Sequence, residues 1–357
     1  MNASVIALQR LAWQRLSQQP FDRPDEVVAW LGAVQAQDYL GAKWALGLRM
    51  RDATDETVEQ AFADGTILRT HVMRPTWHFV TPADIRWLLE LTAPRVKAAN
   101  AYRHRQLELD DALIDRSNAV ITDTLRGGQL RTRAELGAAL AAADIAAEGS
   151  RLSHIVMRAE LDGIVCSGPR RGKQFTYALL DERAPDARRL QREEALAELT
   201  RRYYTGHGPA TVRDFTWWSG LTVADAKAGL ELVGAELGHA VIDGQSYYFS
   251  ASMSPAAQPS DTAWLLPTYD EFLVGFSSFD KSRRGGQEIS PKIVFDATIV
   301  IGGRVVGTWR RAFKKDTVEI EIAPFAARTD AEDAAIVAAA RRYGDFVGMP
   351  VRCSIKK

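Results

Sequence analysis

Thr132-Arg133-Ala134-Glu135-Leu136 opens the stretch that decides the fold, which runs on to Phe175-Thr176-Tyr177-Ala178-Leu179. Thr132 with Glu135 three residues later spells a capping box, so a helix is predicted over Ala134 to Ala143. Gly149-Ser150 precedes a second helix, Arg151 to Asp162. Gly163 to Cys166 and Phe175 to Leu179 then read as two strands joined by Ser167 to Gln174. Helix, turn, helix and hairpin in that order is a winged helix. Its tip, Pro169-Arg170-Arg171-Gly172-Lys173, gathers cations on a glycine-flanked loop, which suits phosphate or minor-groove contact as well as a merely solvated turn.

Outward from this unit the plan repeats. Thr211 with Asp214 caps a helix from Val212 to Trp218, Gly220 breaks it, and Thr222 opens a helix to about Val233. Strands Gly238 to Ile242 and Ser246 to Ser250 flank the hairpin signal Asp243-Gly244. The amino-terminal third is a looser version, with helices near Val5 to Ser17, Asp25 to Gln37 and Thr54 to Asp64, then strands Thr66 to Val72 and Thr76 to Val80 around Met73-Arg74-Pro75. Helical sequence from Pro82 to Gly127 bridges to the central unit. Beyond a linker at Ala256 to Ser260, the segments Ile293 to Ile301, Arg304 to Phe313 and Thr317 to Ile322 alternate apolar and polar residues, followed by a helix from Asp330 to Phe346 and a strand from Val351 to Ile355. The expectation is an α+β protein with three tandem winged-helix (helix-turn-helix) units, residues 1–130, 131–190 and 191–255, and a small β-barrel-like domain at 262–357.

Length and composition bound the function. With 357 residues, 46% of them hydrophobic and 25% charged, the chain can bury several cores and is not intrinsically disordered. Its 45 Lys and Arg balance 45 Asp and Glu, so a polyanionic partner has to be met by local segregation of charge. From Lys281 to Lys315 nine Lys and Arg stand against Glu288 and Asp296. Cys166 and Cys353, far apart, support neither a disulfide framework nor a thiolate metal site, which fits a reducing cytoplasm. Neither a signal peptide nor a membrane span is recognisable.

The most informative chemistry lies in Gln35-Ala36-Gln37, two carboxamides just before Asp38-Tyr39-Leu40-Gly41. On a helix, residues i and i+2 diverge by about 200°, so a shared role requires the pair to sit where the helix ends. Each neutral amide offers an acceptor oxygen and two donor hydrogens and can orient a water without adding charge, although two polar residues closing a helix would look the same.

Val34-Gln35-Ala36-Gln37-Asp38 followed by Gly41-Ala42-Lys43-Trp44-Ala45 resembles the QxQ signature of the AlkZ-like DNA glycosylases, winged-helix enzymes that excise alkylated purines. Further matches are Leu68-Arg69-Thr70-His71, Arg74-Pro75-Thr76-Trp77-His78, Leu266-Pro267-Thr268-Tyr269-Asp270-Glu271-Phe272-Leu273 and Val306-Gly307-Thr308-Trp309-Arg310-Arg311, which together span nearly the whole chain. The resemblance implies that Gln35 and Gln37 are the catalytic pair. A related branch carries Asp at the second position, so this chain looks closer to the branch that unhooks crosslinks. It also implies a substrate, double-stranded DNA bearing alkylated purines, with no cofactor, and we expect a monomer.

The chemistry is consistent with such a pair. An N7- or N3-alkylated purine is cationic and leaves readily, and the sugar passes through an oxocarbenium-like state that asks little of a general base. Carbonyl oxygens facing that cation would contribute electrostatically. Asp38 could act as a base or merely cap a turn. Lys43 is the only nearby amine for Schiff-base lyase chemistry, and a monofunctional enzyme is expected.

Arg74 and His78 match the family pattern and could support the site, whereas His71 and His78 could equally hydrogen-bond across strands. Six histidines without HxxE or CxxC spacing give no metal site. Trp77, Trp217 and Trp218 could stack on bases or fill the core. Adjacent Asp270 and Glu271 are poorly placed to converge on one atom, and the change of character that begins here suggests an interdomain hydrogen-bonding role for them. Arg170, Arg171, Lys173, Arg310 and Arg311 are the candidate DNA-backbone contacts. The competing reading is a non-catalytic winged-helix regulator, which would dimerise on two half-sites.

Overall fold

A computed structural model describes residues 3–18, 20–252, 261–277, 293 and 295–356. The linker expected at Ala256 to Ser260 and the cationic run from Lys281 to Lys292 lie outside the described residues. The chain forms two compact units, one of Met1–Glu59, Ala197–Trp218 and Val223–Lys357, the other of Gln60–Leu196 and Ser219–Thr222.

The first unit is built on a five-stranded sheet in the spatial order Val351–Ile355, Val318–Pro324, Arg304–Phe313, Thr298–Ile301 and Ala263–Leu266. Neighbours are antiparallel except Val318–Pro324 with Val351–Ile355, which are parallel and need a crossover. Helix Asp330–Val347 supplies it, opened by a Thr329/Glu332 capping box and stopped at Gly348 in the left-handed region. Burial alternates along Arg304–Phe313, so one face of the strand is covered. Tyr343 of the helix meets Trp309 of that strand and Trp44 edge-on, at 5.3 and 5.1 Å between ring centroids. The two indoles donate to successive carbonyls of the edge strand, Trp44 to Leu265 at 2.7 Å and Trp309 to Leu266 at 2.8 Å.

Among the described residues this sheet has two distinct edges, so it is open and corrects the barrel-like expectation. Alternation specifies which side of each strand is buried but carries no information on whether the outer strands meet.

The helices Ala3–Trp13, Pro24–Leu31 and Tyr39–Gly47 belong to the same unit. Helix Pro24–Leu31 is six residues shorter at its end than the expected Asp25 to Gln37, because Gly32 takes φ +79° and turns the chain out of the helix. Apolar periodicity through Ala33-Val34 had masked that stop. Thr211 and Asp214 exchange bonds, Asp214 N–H to Thr211 Oγ1 at 3.2 Å and Thr211 N–H to Asp214 Oδ2 at 2.9 Å, to open helix Val212–Ser219. Helix Val223–Val233 leads to the hairpin Leu237–Ile242/Gln245–Ser250, turned by Asp243 and Gly244 at φ 49° and 76°.

The second unit contains the hairpin Leu68–Val72/Arg74–Val80 and helices Ile85–Gln106 and Asp111–Leu125. There follow Arg131–Thr132, helix Arg133–Ala142, helix Gly149–Leu161, Val165–Ser167 and Thr176–Leu179, whose three strands pair with Thr176–Leu179 in the middle. The Thr132/Glu135 capping box is present. Leu136, Leu140, Ile155, Ala159, Val165 and Leu179 close one core with Ile114, Ile121 and Leu125 beneath them. No helix among the described residues is long and apolar enough to cross a membrane.

Candidate active site

Once Gly32 has ended the helix, Val34–Gln35 is extended, and Gln35 is 8% exposed, Ala36 fully buried and Gln37 exposed. Gln37 lies in the bend that follows, outside this extended pair, so the two glutamines sit in different surroundings, one buried and one exposed. A carboxylate from a distant segment fixes this strand. Glu271, buried in the short helix Glu271–Val274, accepts the Gln35 backbone N–H at 2.8 Å through one oxygen and Trp218 Nε1–H at 2.9 Å through the other, with His207 Nε2 3.3 Å from that second oxygen. Next to it, Asp270 takes a two-pronged bond from Arg49, at 2.8 and 2.9 Å, with side-chain exposures of 0% and 1%. Arg49 also reaches the Gln14 carbonyl and side-chain oxygens, and Gln14 Nε2 donates to the Glu271 carbonyl. The adjacent carboxylates therefore diverge, one toward the glutamine segment and one toward Arg49. Glu271 is the residue that sequence reading underrates, and the one available signal is a pair of acids set between Tyr269 and Phe272.

Asp38 precedes helix Tyr39–Gly47 as its N-cap residue, yet its side chain makes no capping bond. The carboxylate folds over Gly41, where a Cβ would lie 2.6 Å from Oδ2, and receives Arg311 Nη2 at 3.4 Å. Asp38, Thr268, Thr308, Arg310 and Arg311 line a cleft of about 450 Å³. Three expected site residues thus meet here, Asp38 with Arg310 and Arg311. Arg310 is exposed on the strand and Arg311 half-buried, its guanidinium 5.7 Å from the Tyr343 ring centre. Burial pushes the Tyr343 phenol up to about 12, so it stays neutral beside that cation.

Lys43 is 1% exposed and held between Asp55 and Glu59, each at 2.7 Å, with Tyr39 Oη also donating to Glu59. Both ion pairs engage it as a structural cation.

In the second unit, His78 is fully buried with Nδ1 2.9 Å from the Thr76 carbonyl, and Arg74 is half-buried at the start of its strand. His71 Nδ1 lies 2.5 Å from Glu160, which also accepts Trp77 Nε1–H at 3.3 Å. Of the hairpin-tip cations, Arg171 bonds Glu135 at 2.7 Å and the Leu130 carbonyl at 3.1 Å, so its charge is shared within the unit. Arg170 lies 5.4 Å over the Phe175 ring, and Lys173 is exposed. Trp218 is core, whereas Trp217 is 52% exposed. Among the described residues no group of three or more His, Cys, Asp or Glu is arranged to hold a metal.

A relative from Streptomyces sahachiroi, described as an interstrand DNA cross-link repair glycosylase, is 28% identical over 334 residues, covering 84% of this chain and 86% of its own length. The solved structure of the Streptomyces sahachiroi DNA glycosylase AlkZ superposes with a TM-score of 0.79 at 21% identity, over 99% of this chain and all of the other, which establishes a shared α+β fold. The family model for DNA glycosylase AlkZ-like proteins matches residues 28–346 and takes in the glutamine segment, the Glu271 clamp and the Asp38–Arg311 cleft. The chain belongs to the AlkZ-like DNA glycosylases and acts on DNA as an N-glycosylase.

Proposed function

We propose that this enzyme hydrolyses the N-glycosidic bond of N7- or N3-alkylated purines in duplex DNA and unhooks interstrand crosslinks, with Gln35 and Gln37 positioning the attacking water. The observation that carries this reading is the Glu271–Gln35 clamp. An amide that must hold a water beside C1′ within a few tenths of an ångström needs a fixed backbone, and a buried carboxylate bonded to that backbone supplies it. The cationic alkylpurine is its own leaving group, so neutral amides suffice, their carbonyl oxygens facing the oxocarbenium-like sugar. Asp38, already engaged with Arg311, serves the site as a neighbouring charge, and Arg74 and His78 are supporting residues.

The helix-helix-hairpin order of residues 131–190, and its looser repeats at 1–130 and 191–255, support a reading as winged helices that track the duplex, with Arg170, Arg171, Lys173, Arg310 and Arg311 contacting phosphates. The paired state of Lys43 favours hydrolysis without lyase chemistry. The work is that of a monomer in a reducing cytoplasm, consistent with two unpaired cysteines. The similarity to a crosslink-repair glycosylase favours bulky or crosslinked adducts over simple methylation.

The deciding assay is release of N7-methylguanine and unhooking of a defined crosslink by wild type, Gln35→Ala and Gln37→Ala. Loss of at least a hundredfold in both variants with DNA affinity retained is expected. Variants as active as wild type would end the glutamine mechanism, and a wild type inactive on both lesions would end the substrate assignment.

A further inference from the structure

The second unit holds a cleft of about 310 Å³ whose walls include His71, Trp77, Arg133, Ser153, His154 and Tyr177. Arg133, the first residue of helix Arg133–Ala142, hydrogen-bonds hydroxyls, Nη1 to Ser153 at 3.5 Å and Nη2 to Tyr177 at 3.3 Å, both long, and its guanidinium carbon lies 5.8 Å from the Trp77 ring centre. Its Nε is buried and makes no hydrogen bond among the described residues, and His154 Nδ1 is in the same condition. A half-buried guanidinium ordinarily faces a carboxylate or a phosphate. The one carboxylate of this cleft, Glu160, is already engaged by His71 and Trp77. Burial first, and then the charges of Arg103 and His71, hold the His154 pKa below the usual histidine range. Arg133 Nε and His154 Nδ1, both buried and without a hydrogen-bond partner among the described residues, thus share one small cavity with Ser153, whose hydroxyl donates to the Gly149 carbonyl at 3.2 Å.

We infer that this cleft binds a phosphoryl group, held by Arg133, Ser153 and His154. A phosphoryl group presents several oxygens, so one anion meets Arg133 Nε and His154 Nδ1 together while the Ser153 hydroxyl turns from the Gly149 carbonyl toward it. Glu160 stays bonded to His71 and Trp77, which limits its repulsion of the anion. The group is a phosphate of the DNA backbone or that of a free phosphorylated small molecule, and the two sources are separable. The inference stands independently of the glutamine mechanism.

The test is titration of the full chain with inorganic phosphate, read by the His154 ring NMR signals and assigned with His154→Gln, with chloride matching ionic strength. A saturable shift is expected in wild type, absent in Arg133→Gln and partly recovered in Arg133→Lys. A second reading is the dependence of duplex affinity on salt. A slope shallower by about 1 in Arg133→Gln assigns the group to the DNA backbone, while an unchanged slope with the phosphate shift intact in wild type assigns it to a free phosphorylated compound. If Arg133→Gln unfolds by circular dichroism, Ser153→Ala replaces it, with phosphate affinity expected to fall severalfold. No saturable shift in wild type, or an undiminished one in the folded Arg133 or Ser153 variant, overturns the inference.

Discussion

Glu271 accepts the backbone N–H of Gln35 at 2.8 Å from a position 236 residues away in the chain. Its two oxygens serve two donors, Gln35 N–H and the Trp218 indole, and a glutamine in its place could accept through only one. Glu271→Gln is expected to lower stability by about 1–3 kcal/mol, the cost of leaving one buried donor unmet. Excision is expected to fall at least tenfold in kcat with KM nearly unchanged, measured on alkylated duplex at a temperature where the variant is fully folded. An unaltered kcat would show that the clamp serves stability alone.

Asp270→Asn tests the neighbouring acid. It leaves the Arg49 guanidinium, 1% exposed, without its counter-charge. Removing one partner of a buried ion pair typically costs about 3–5 kcal/mol, so chemical denaturation should register a loss of that order.

Gly32→Ala probes the stop that frees the glutamine segment. The residue sits at φ +79°, and an added Cβ would touch the Trp218 ring at 3.4 Å. A destabilisation of about 1–3 kcal/mol is expected from the strained backbone. Gly127→Ala, also at positive φ but with open space around it, should show the backbone cost without the contact.

Acid should loosen the two units through identifiable groups. For Asp214 burial alone would raise the carboxyl, but Arg10 and the N–H groups of Thr211 and Ser277 bring it below the usual aspartate range. The Thr132 N–H and Arg171 hold Glu135 down to about 2 from an ordinary 4.5. Both folded-state pKa values are depressed, so their stabilisation is complete above the unfolded values and fades as pH falls from about 4.5 toward 2. Thermal midpoints between pH 7 and 2 should drop in that window, and Glu135→Gln should flatten part of the drop.

Burial pushes the Cys166 thiol up to about 12. It should resist Ellman's reagent in the native protein and react only after unfolding, which a count of released thiolate in buffer and in guanidinium chloride checks.

What was legible in the sequence was local. Thr132 with Glu135, Thr211 with Asp214 and Asp243-Gly244 each fix structure within four residues, and each forms its cap or turn. The helix end at Gly32 was overrun because Ala33 and Val34 continue the apolar pattern into a buried strand, and burial looks alike in both. Whether the carboxy-terminal strands close on themselves depends on pairing at the outer edges, which alternation does not encode. At the candidate site the glutamines were visible as a motif, but their backbone anchor was not. Glu271 sits 236 positions away, and no local rule connects a buried acid to one particular N–H.

That separation has a consequence for biosynthesis. A ribosome adding roughly 5–20 residues per second has Gln35 and Gln37 outside its tunnel on the order of ten to fifty seconds before it reaches codon 271. During that interval the bond from Gln35 N–H to the Glu271 carboxylate is missing from the nascent protein. A product released before that codon therefore lacks the anchor of Gln35, however completely its amino-terminal helices have formed.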